Sequence, residues 1–537
     1  MAAEKPKNVE RVLVKKNILM VYPEYPSTFW SLDHTLKIVN KKSLMPPLGL
    51  MTVASMLPLD YEIRLVDMNV TRLRDKDILW ADMVFISAMI VQKDSFADVI
   101  KSCIRLNRPV TAGGPYPTAS YKLIKGVDHF ILGEAENVIQ QFIYDFENDT
   151  PGRIYKSEVR PDIKLTPVAR YDLINVSDYG SMPIQFSRGC PFSCEFCDII
   201  ELFGRVPRLK TVLQFIRELD SIYETGFRGL INVVDDNFIG HKSEALKLLK
   251  AISEWQKERD YPFTFVTEAS MNLAVENEIL DLMVECVFTR VFVGIETPDK
   301  DTLISANKNQ NVKQDILESV KIIQSKGIEV IAGFIIGFDT DTEDIFDRQI
   351  EFIQQAGIPV AMVGLMLALP GTQLYRRLEK EGRLLYETGG NNTNILELNF
   401  IPIMDSEKII EGYKRVLATI FSPEKYFERS LTLIRRIPDS VYKKRSLRVD
   451  DIRAFLKSFI ILSFSRYGFR YIRFLIKAWK INPRNFSLAV ILSVNGYHFF
   501  KITRATLRSA KKMNACIDYP ETAGNEIYEL QSENLTI

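Results

Sequence analysis

The chain has 537 residues, 46% of them hydrophobic and 26% charged, with a formal net charge of +1. That is an ordinary globular composition with length for about three or four domains, which excludes a chain without a packed core. No stretch reaches the ~18 uninterrupted apolar residues of a spanning helix, and residues 1–16 carry mixed charge without an apolar run of signal-peptide length, so the expectation is a cytoplasmic protein. The balanced charge hides an asymmetry. Between Lys425 and Lys512, 21 Lys plus Arg stand against four Asp plus Glu, and the rest of the chain carries the compensating acidity. One region therefore faces something anionic or is heavily solvated.

Residues 1–16 read as a tail. From 17 to about 150, short apolar runs at Asn17–Tyr22, Glu62–Asp67, Met83–Ile90, Pro109–Ala112 and His129–Leu132 alternate with helical stretches. This pitch predicts a Rossmann-like, doubly wound parallel sheet, whose ligands lie beyond the carboxyl ends of the strands. Glycine and proline gather at those ends, around Pro47 and Gly49, around Gly113, Gly114 and Tyr116, and around Gly133 and Glu134. Each loop would set bare backbone at the ligand edge, although plain turn chemistry explains any one of them. The pattern GxGxxG is absent, which argues against a dinucleotide. Residues 151–180, punctuated by Pro151, Gly152, Pro161 and Pro167, read as a linker.

Six more strands are predicted between 181 and 400, at Pro183–Ser187, Leu230–Asp235, Phe263–Glu268, Val291–Glu296, Val330–Gly337 and Val360–Leu369, with helices between them. The first helix is signed by a capping box, Thr211 to Gln214. Six alternations fall short of the eight that close a barrel. Just after the first strand comes RGCPFSCEFCD, Arg188 to Asp198, with Cys190, Cys194 and Cys197 at CxxxCxxC spacing. Three thiolates on a four-iron cluster leave one iron open, and an open iron can take nitrogen and oxygen donors. The competing reading is structural zinc with a fourth ligand from Cys286, His241 or Cys103, although such zinc draws its ligands in two close pairs. Arg205, Arg208 and Lys210, just past this loop, are placed to meet a carboxylate or a phosphate, or form a solvated face.

Ligands of a parallel barrel sit at its carboxyl rim, so polar strand ends are candidates. They are Asp235, Asp236 and Asn237 on the second strand, Glu268 on the third, and Gly294 and Glu296 on the fourth. Gly333 and Gly337 lie on the fifth. Glu268 and Glu296 are ligand contacts, or one of them is only a helix cap, and the glycines either admit a ligand or relieve crowding. Beyond residue 401 the pattern is helical. Asp405 opens a helix with Ile409, Ile410, Tyr413, Val416, Leu417 and Phe421 on one side, and from Phe464 to Lys480 aromatics interleave with Lys and Arg. An anionic membrane surface, a packed helical cap and nucleic acid are the readings, in that order. Residues 513–537 read as an acidic, disordered tail.

The run Arg188 to Asp198 closely resembles the signature of the radical S-adenosylmethionine (SAM) enzymes, in which the residue before the last cysteine is aromatic, as Phe196 is. The resemblance implies a six-stranded partial TIM-type barrel and a 4Fe-4S cluster on Cys190, Cys194 and Cys197. It further implies that the open iron chelates SAM and that the cluster cleaves it to a 5'-deoxyadenosyl radical. Phe196, Asp235, Asp236, Asn237, Glu268, Gly294, Glu296, Gly333 and Gly337 would then line the SAM site. Asp-Asp-Asn stands where the family has Gly-Gly-Glu, and Thr340 where its GxIxGxxE has Glu.

The preceding sheet resembles the cobalamin-binding domain of the cobalamin-dependent (class B) branch. Pro47, Gly49, Gly113, Gly114, Tyr116, Gly133 and Glu134 would face cobalamin. A DxHxxG motif fails at all four histidines, which implies cobalamin without a histidine ligand. With Val-Asp-Asp-Asn-Phe, Gly-Ile-Glu-Thr-Pro and Gly-Phe-Ile-Ile-Gly-Phe-Asp, the chain resembles the hopanoid ring-methylating enzymes and their uncharacterised relatives. That implies methyl transfer to an unactivated carbon of a lipid or terpenoid and an electron donor of the reductase, flavodoxin or ferredoxin kind; the basic aromatic C-terminus adds the expectation of peripheral contact with the inner face of a membrane. A different cobalamin radical reaction and a non-catalytic cobalamin sensor are the alternatives.

Overall fold

The structure, a computed structural model, describes residues 15–393, 396–438 and 449–517. The first sheet contains β1 (Asn17–Tyr22), β2 (Glu62–Asp67), β3 (Met83–Ser87), β4 (Val110–Gly113), β5 (His129–Leu132) and β6 (Ile154–Lys156). Its order is β2-β1-β3-β4-β5-β6 and every pair is parallel. Five strands fall where the apolar runs predicted them. The sixth, β6, lies in the stretch expected to be a linker, where only Tyr155 turns inward and no apolar run announces it. Separate apolar cores cover the two faces, one with Leu19, Val84 and Ile86, the other with Ile18, Met20 and Phe85. Neighbouring residues of β1 and of β3 thus point to opposite faces, as the two-residue period of a strand requires.

The second sheet is the partial barrel. It comprises β7 (Ser181–Ile184), β10 (Leu230–Val233), β11 (Thr264–Glu268), β12 (Phe288–Glu296), β13 (Glu329–Ile336) and β14 (Ala361–Leu365), in the order β14-β13-β12-β11-β10-β7, all parallel. Between β7 and β10 lies a short antiparallel ladder, β8 (Ser187–Arg188) with β9 (Arg208–Leu209), which the sequence did not announce. The Thr211 capping box is present: the Thr211 N–H donates to Gln214 Oε1 at 2.8 Å and the Gln214 N–H to Thr211 Oγ1 at 3.2 Å. On β12, Val291, Val293 and Ile295 are fully buried against the outer helices, while Phe292 and Gly294 turn to the concave side.

The C-terminal region is helical: Ser406–Ile420, Pro423–Arg436, Val449–Ser463, Gly468–Ile481 and Phe486–Ile517. Its core is continuous with that of the barrel, with Tyr413, Tyr426, Leu433 and Phe499 in the same cluster as Val291 and Ile336. The last helix runs into the stretch expected to be a disordered tail, through Ile517; the rest of that stretch and residues 1–14 lie outside the described residues. No helix among the described residues is long and apolar enough to cross a membrane.

Candidate functional site

The three-cysteine loop leaves and re-enters the barrel through the ladder in which Ser187 faces Leu209 and Arg188 faces Arg208. Two arginines opposite one another repel, and the first sheet supplies the remedy. Glu134, in the loop after β5, accepts from Arg188 at 2.7 Å and from both Arg208 nitrogens at 3.0 and 2.7 Å. Glu136 meets Arg188 at 2.8 Å. Only 5% of the Glu134 side chain is exposed. Burial disfavours the Arg188 charge, but Glu136 and Glu134 outweigh it and hold the guanidinium above its ordinary value. Glu134 was expected to face cobalamin; instead both of its carboxylate oxygens hold the neck of the cysteine loop, leaving only its backbone for a cofactor. Of the three cations read past this loop, Arg208 pairs with Glu134 and Lys210 with buried Glu218, while Arg205 is exposed.

Gly189 adopts φ +100 and donates its N–H to Asp236 Oδ2 at 2.7 Å. A Cβ there would stand 2.8 Å from the Gly204 carbonyl oxygen, so only glycine turns this corner. Cys190 is anchored by its N–H to Gly204 O at 3.2 Å, and Glu195 by its N–H to Ala306 O at 3.1 Å. Cys194 is buried, with Cys190 and Cys197 half-buried. Burial raises the thiols of Cys190 and Cys197, opposed by the N–H groups of Phe192 and Ile199, and Cys194 raises both further. Cys194 thus acts on both of the other thiols, although no three or more His, Cys, Asp or Glu among the described residues are drawn together as around a metal ion. A metal cation bound by the loop would replace the thiol protons and relieve both penalties. The thiols offered to zinc are elsewhere: Cys103 is in the core of the first sheet, and the Cys286 thiol donates to Leu249 O beneath helix Lys242–Glu258.

At the barrel rim, the strand-end residues divide by role. Asp235 is 1% exposed, and its two oxygens accept from the Phe186 N–H at 2.7 Å and the Ser187 hydroxyl at 2.6 Å, so it braces the ladder. Asn237 is occupied with Ser270 at 3.1 Å. Asp236 is the member of the trio that faces the cysteine loop, and burial pushes its carboxyl up to about 6. Glu268 is exposed to the concave space yet enclosed by protein. Burial, with Asp236 and Asp235 adding, raises its carboxyl to about 7. Neither carboxyl forms a salt bridge among the described residues, Asp236 feeling only the more distant Arg188 charge, so the pair fits a ligand that brings a cation.

Glu296 sits at a register shift with φ +69 and pairs with buried Lys308. Lys308 also lies 5.8 Å from the centre of the Phe196 ring; burial opposes its charge, and Glu296 and Cys194 outweigh that. A Cβ on Gly294 would strike both Glu296 and Lys308, which explains the glycine. Gln310 Nε2 is 3.6 Å from Cys194 Sγ, and Asn311 Nδ2 donates to Gly294 O at 2.9 Å. The oxygens of both amides are buried without a partner, the feature of a polar site awaiting a ligand. Sequence reading passed over Lys308, Gln310 and Asn311; the only signal was a polar run, Asn307 to Asn311, with no periodicity. Gly337, at φ +108, and Phe338 donate to Asp341 Oδ2 at 2.8 and 3.0 Å. The acid missing at Thr340 is thus supplied one residue later.

In the first sheet, the chain turns from β2 to β3 on opposite sides of β1, which sets the switch point there. Pro47 caps helix Leu48–Ala54, and a Cβ on Gly49 or Gly133 would meet nothing within 4 Å, so bare backbone borders open space. Gly113 packs against Ile131 O, and Gly114, at φ +91, against Ser87. Tyr116 is half-buried with its ring 5.5 Å from Phe96. Gly49 and Gly133 thus leave the room that a bulky cofactor would need, while Gly113 and Gly114 are glycine for close packing. His129 starts β5, at the opposite end of the sheet from these loops. Sequence reading also missed a polar knot at the switch point. Buried Asp67 accepts from the Asn69 side chain at 2.7 Å and from the Tyr179 hydroxyl at 3.1 Å, beside the paired hydroxyls of Tyr22 and Tyr25. Tyr179 belongs to the stretch read as a linker.

A parallel sheet with an open ligand edge, bolted to a six-stranded barrel that carries three cysteines on one loop, defines a cobalamin-dependent radical SAM enzyme. Family comparisons agree: a B12 binding domain matches residues 36–143, the radical SAM superfamily 184–353, and a domain of unknown function (DUF4070) 372–512. The chain is 44% identical over 414 residues to an uncharacterized methyltransferase of Synechocystis, covering 77% of each. It is 38% identical over 419 residues to the hopanoid C-2 methylase of Rhodopseudomonas palustris, covering 77% of this chain and 78% of that one. The chain therefore belongs to the cobalamin-dependent radical SAM methyltransferases, and its cofactors are a 4Fe-4S cluster, SAM and cobalamin. The sensor reading falls with that membership. Two solved structures share the fold. The methyltransferase TsrM of Kitasatospora setae superposes with a TM-score of 0.59 at 13% identity, covering 87% of this chain and 99% of that one. The cobalamin-dependent enzyme OxsB superposes with a TM-score of 0.59 at 16% identity, covering 95% and 82%.

Proposed function

We propose that this enzyme transfers a methyl group to an unactivated carbon of a lipid or terpenoid of the hopanoid kind. The observation that carries the proposal is the apolar lining where the first sheet meets the barrel. Trp30 lies with its ring 5.6 Å from Phe292 and its Nε1–H 3.0 Å from Met362 Sδ. Between Phe292 and Met362 is Gly333, where a Cβ would stand 3.0 Å from the Phe292 ring. Met45 reaches the barrel beside Asn232 at 3.9 Å. Such a wall offers a hydrocarbon dispersion contacts and gives a charged substrate no partner. Similarity to a hopanoid C-2 methylase supports the same substrate class.

When bound, the cofactors supply a radical that removes hydrogen from carbon and a methyl group to replace it. Cys190, Cys194 and Cys197 would hold the cluster, and Asp236 and Glu268 the cationic end of SAM. The unpartnered oxygens of Gln310 and Asn311 would accept from the same ligand. Phe196, Gly294, Glu296, Gly333 and Gly337 would shape its bed, with Lys308 fixing Glu296. The loops with Pro47, Gly49, Gly113, Gly114, Tyr116 and Gly133, and the Glu134 backbone, would carry cobalamin. Trp30, Phe292 and Met362 would pack against the substrate's hydrocarbon and hold it in place beside the reacting groups. A reductase, flavodoxin or ferredoxin would supply electrons. A cytoplasmic enzyme in peripheral contact with the membrane would draw its lipid from there.

The test is mass spectrometry of lipids from cells with and without the gene, grown on methionine labelled in its methyl group. A lipid or terpenoid that carries the label and becomes lighter by about 14 daltons on deletion is expected, the mass of a methyl in place of hydrogen. Label confined to water-soluble products would reject the substrate class.

A further inference from the structure

The last helices meet the N-terminal segment at a cleft of about 390 Å³, lined by His34, Arg466, Lys501, Arg504 and Arg508 among others. None of the four cations of Arg and Lys pairs with a carboxylate among the described residues. Lys501 and Arg466 lean on the rings of Tyr497 and Tyr467, at 4.8 and 5.1 Å. Asp33, the nearby acid, is bonded to the Ser27 hydroxyl at 2.7 Å. The field shows at His34, which burial and then Lys501 and Lys37 hold below the ordinary histidine value.

Arg466 sits in the turn between helices Val449–Ser463 and Gly468–Ile481. On either side of it in sequence, Phe464 and Phe469 are 90% and 80% exposed, an apolar surface that solvent disfavours. The second of these helices buries Tyr471, Phe474, Leu475 and Ala478. Its opposite face presents Arg470, Arg473, Ile476, Lys477, Trp479 and Lys480 without an acid among them. Bare aromatics beside unpaired cations complement one surface: anionic headgroups with acyl chains directly beneath.

We propose that this cleft binds the phosphate of an anionic phospholipid while Phe464 and Phe469 enter the acyl boundary, seating the enzyme on the bilayer. The site rests on the membrane contact proposed above and gives it an address. The experiment is sedimentation of the full-length protein with phosphatidylcholine vesicles and with the same vesicles doped with phosphatidylglycerol. Wild type is expected to bind only the doped vesicles. The variant R466Q/R504Q/R508Q is expected to lose about a hundredfold in affinity, roughly fivefold for each cation removed. Phe464→Ser with Phe469→Ser is expected to weaken binding while keeping its salt sensitivity. Near-native circular dichroism in both variants would confirm that they fold.

Failure of the wild type to bind any vesicle would sink the membrane contact itself. Undiminished binding by the triple variant would sink the cleft alone and leave the contact standing. Saturable binding of inorganic phosphate that abolishes vesicle binding would mark the cleft as a site for soluble anions and overturn the proposal.

Discussion

Glu134 links the two cofactor domains through a single carboxylate. Replacing it by Gln leaves Arg188 and Arg208 adjacent and half-compensated, and breaking a buried pair in this way costs about 3 kcal/mol. The expected outcome of Glu134→Gln is a lower denaturation midpoint together with faster loss of iron from the reconstituted protein; an unchanged midpoint would show that the clamp carries no weight. Glu268 makes a prediction about pH. Its carboxyl is raised to about 7, so the folded chain keeps a proton that the unfolded chain has released. That contribution to stability is complete below the ordinary glutamate range and is lost as pH rises through 7. A bound cation favours the ionised form, so SAM affinity should climb as pH rises toward about 7 and then level off. Calorimetry on Glu268→Gln should find weaker binding and a flatter profile below about pH 7.

Elements impose their own constraints on these residues. The cysteine loop closes because Gly189 turns where a Cβ would meet a carbonyl oxygen at 2.8 Å. Gly189→Ala should therefore yield folded protein with little bound iron, whereas Gly49→Leu, built into open space, should keep its iron and lose cobalamin. Metal analysis and the cobalamin absorption band read the two outcomes separately. Helix Pro423–Arg436 is held to the barrel by Arg429, which is fully buried and donates to the carbonyl oxygens of Ile358, Ile420 and Pro359. Burial lowers its pKa to about 9. Arg429→Met strands those acceptors and should destabilise by about 3 kcal/mol, visible in the melting temperature. Part of the basic surplus read from the sequence is thus spent inside the protein, and only the later helices turn it outward.

On the scale of the whole molecule, the C-terminal helices and the barrel share one core, in which Tyr426, Leu433 and Ile434 are fully buried. Ending the chain before Ser422 would expose that surface, so the truncated protein should be recovered insoluble. Soluble, monomeric truncated protein in the supernatant would contradict the shared core. Membrane binding is for that reason tested by surface substitutions and not by deletion. The N-terminal segment performs a matching task on the other side. Phe29 stacks on Phe499 at 4.4 Å while Trp30 covers Phe292, so one short stretch touches both the last helix and the barrel.

Much of this was legible along the chain because it depends on neighbours in sequence. Alternating apolar runs located eleven of the twelve strands of the two parallel sheets, since burial on both faces demands such runs. Three cysteines within one loop carried the resemblance to the radical SAM enzymes, a membership that the family comparison bears out, since residues on one short loop need no fold to be counted together. What the sequence concealed are pairings across distance. The bond from Arg188 to Glu134 spans 54 residues and that from Arg208 spans 74, and no local period encodes them. The same holds for Asp235, read as a ligand contact and found bracing a ladder, and for Lys308 and Gln310, which only the return of the chain after β12 sets beside the cysteines. Local chemistry is written in spacing, but which charge answers which is decided when burial removes water and leaves each buried group to find its partner within the fold.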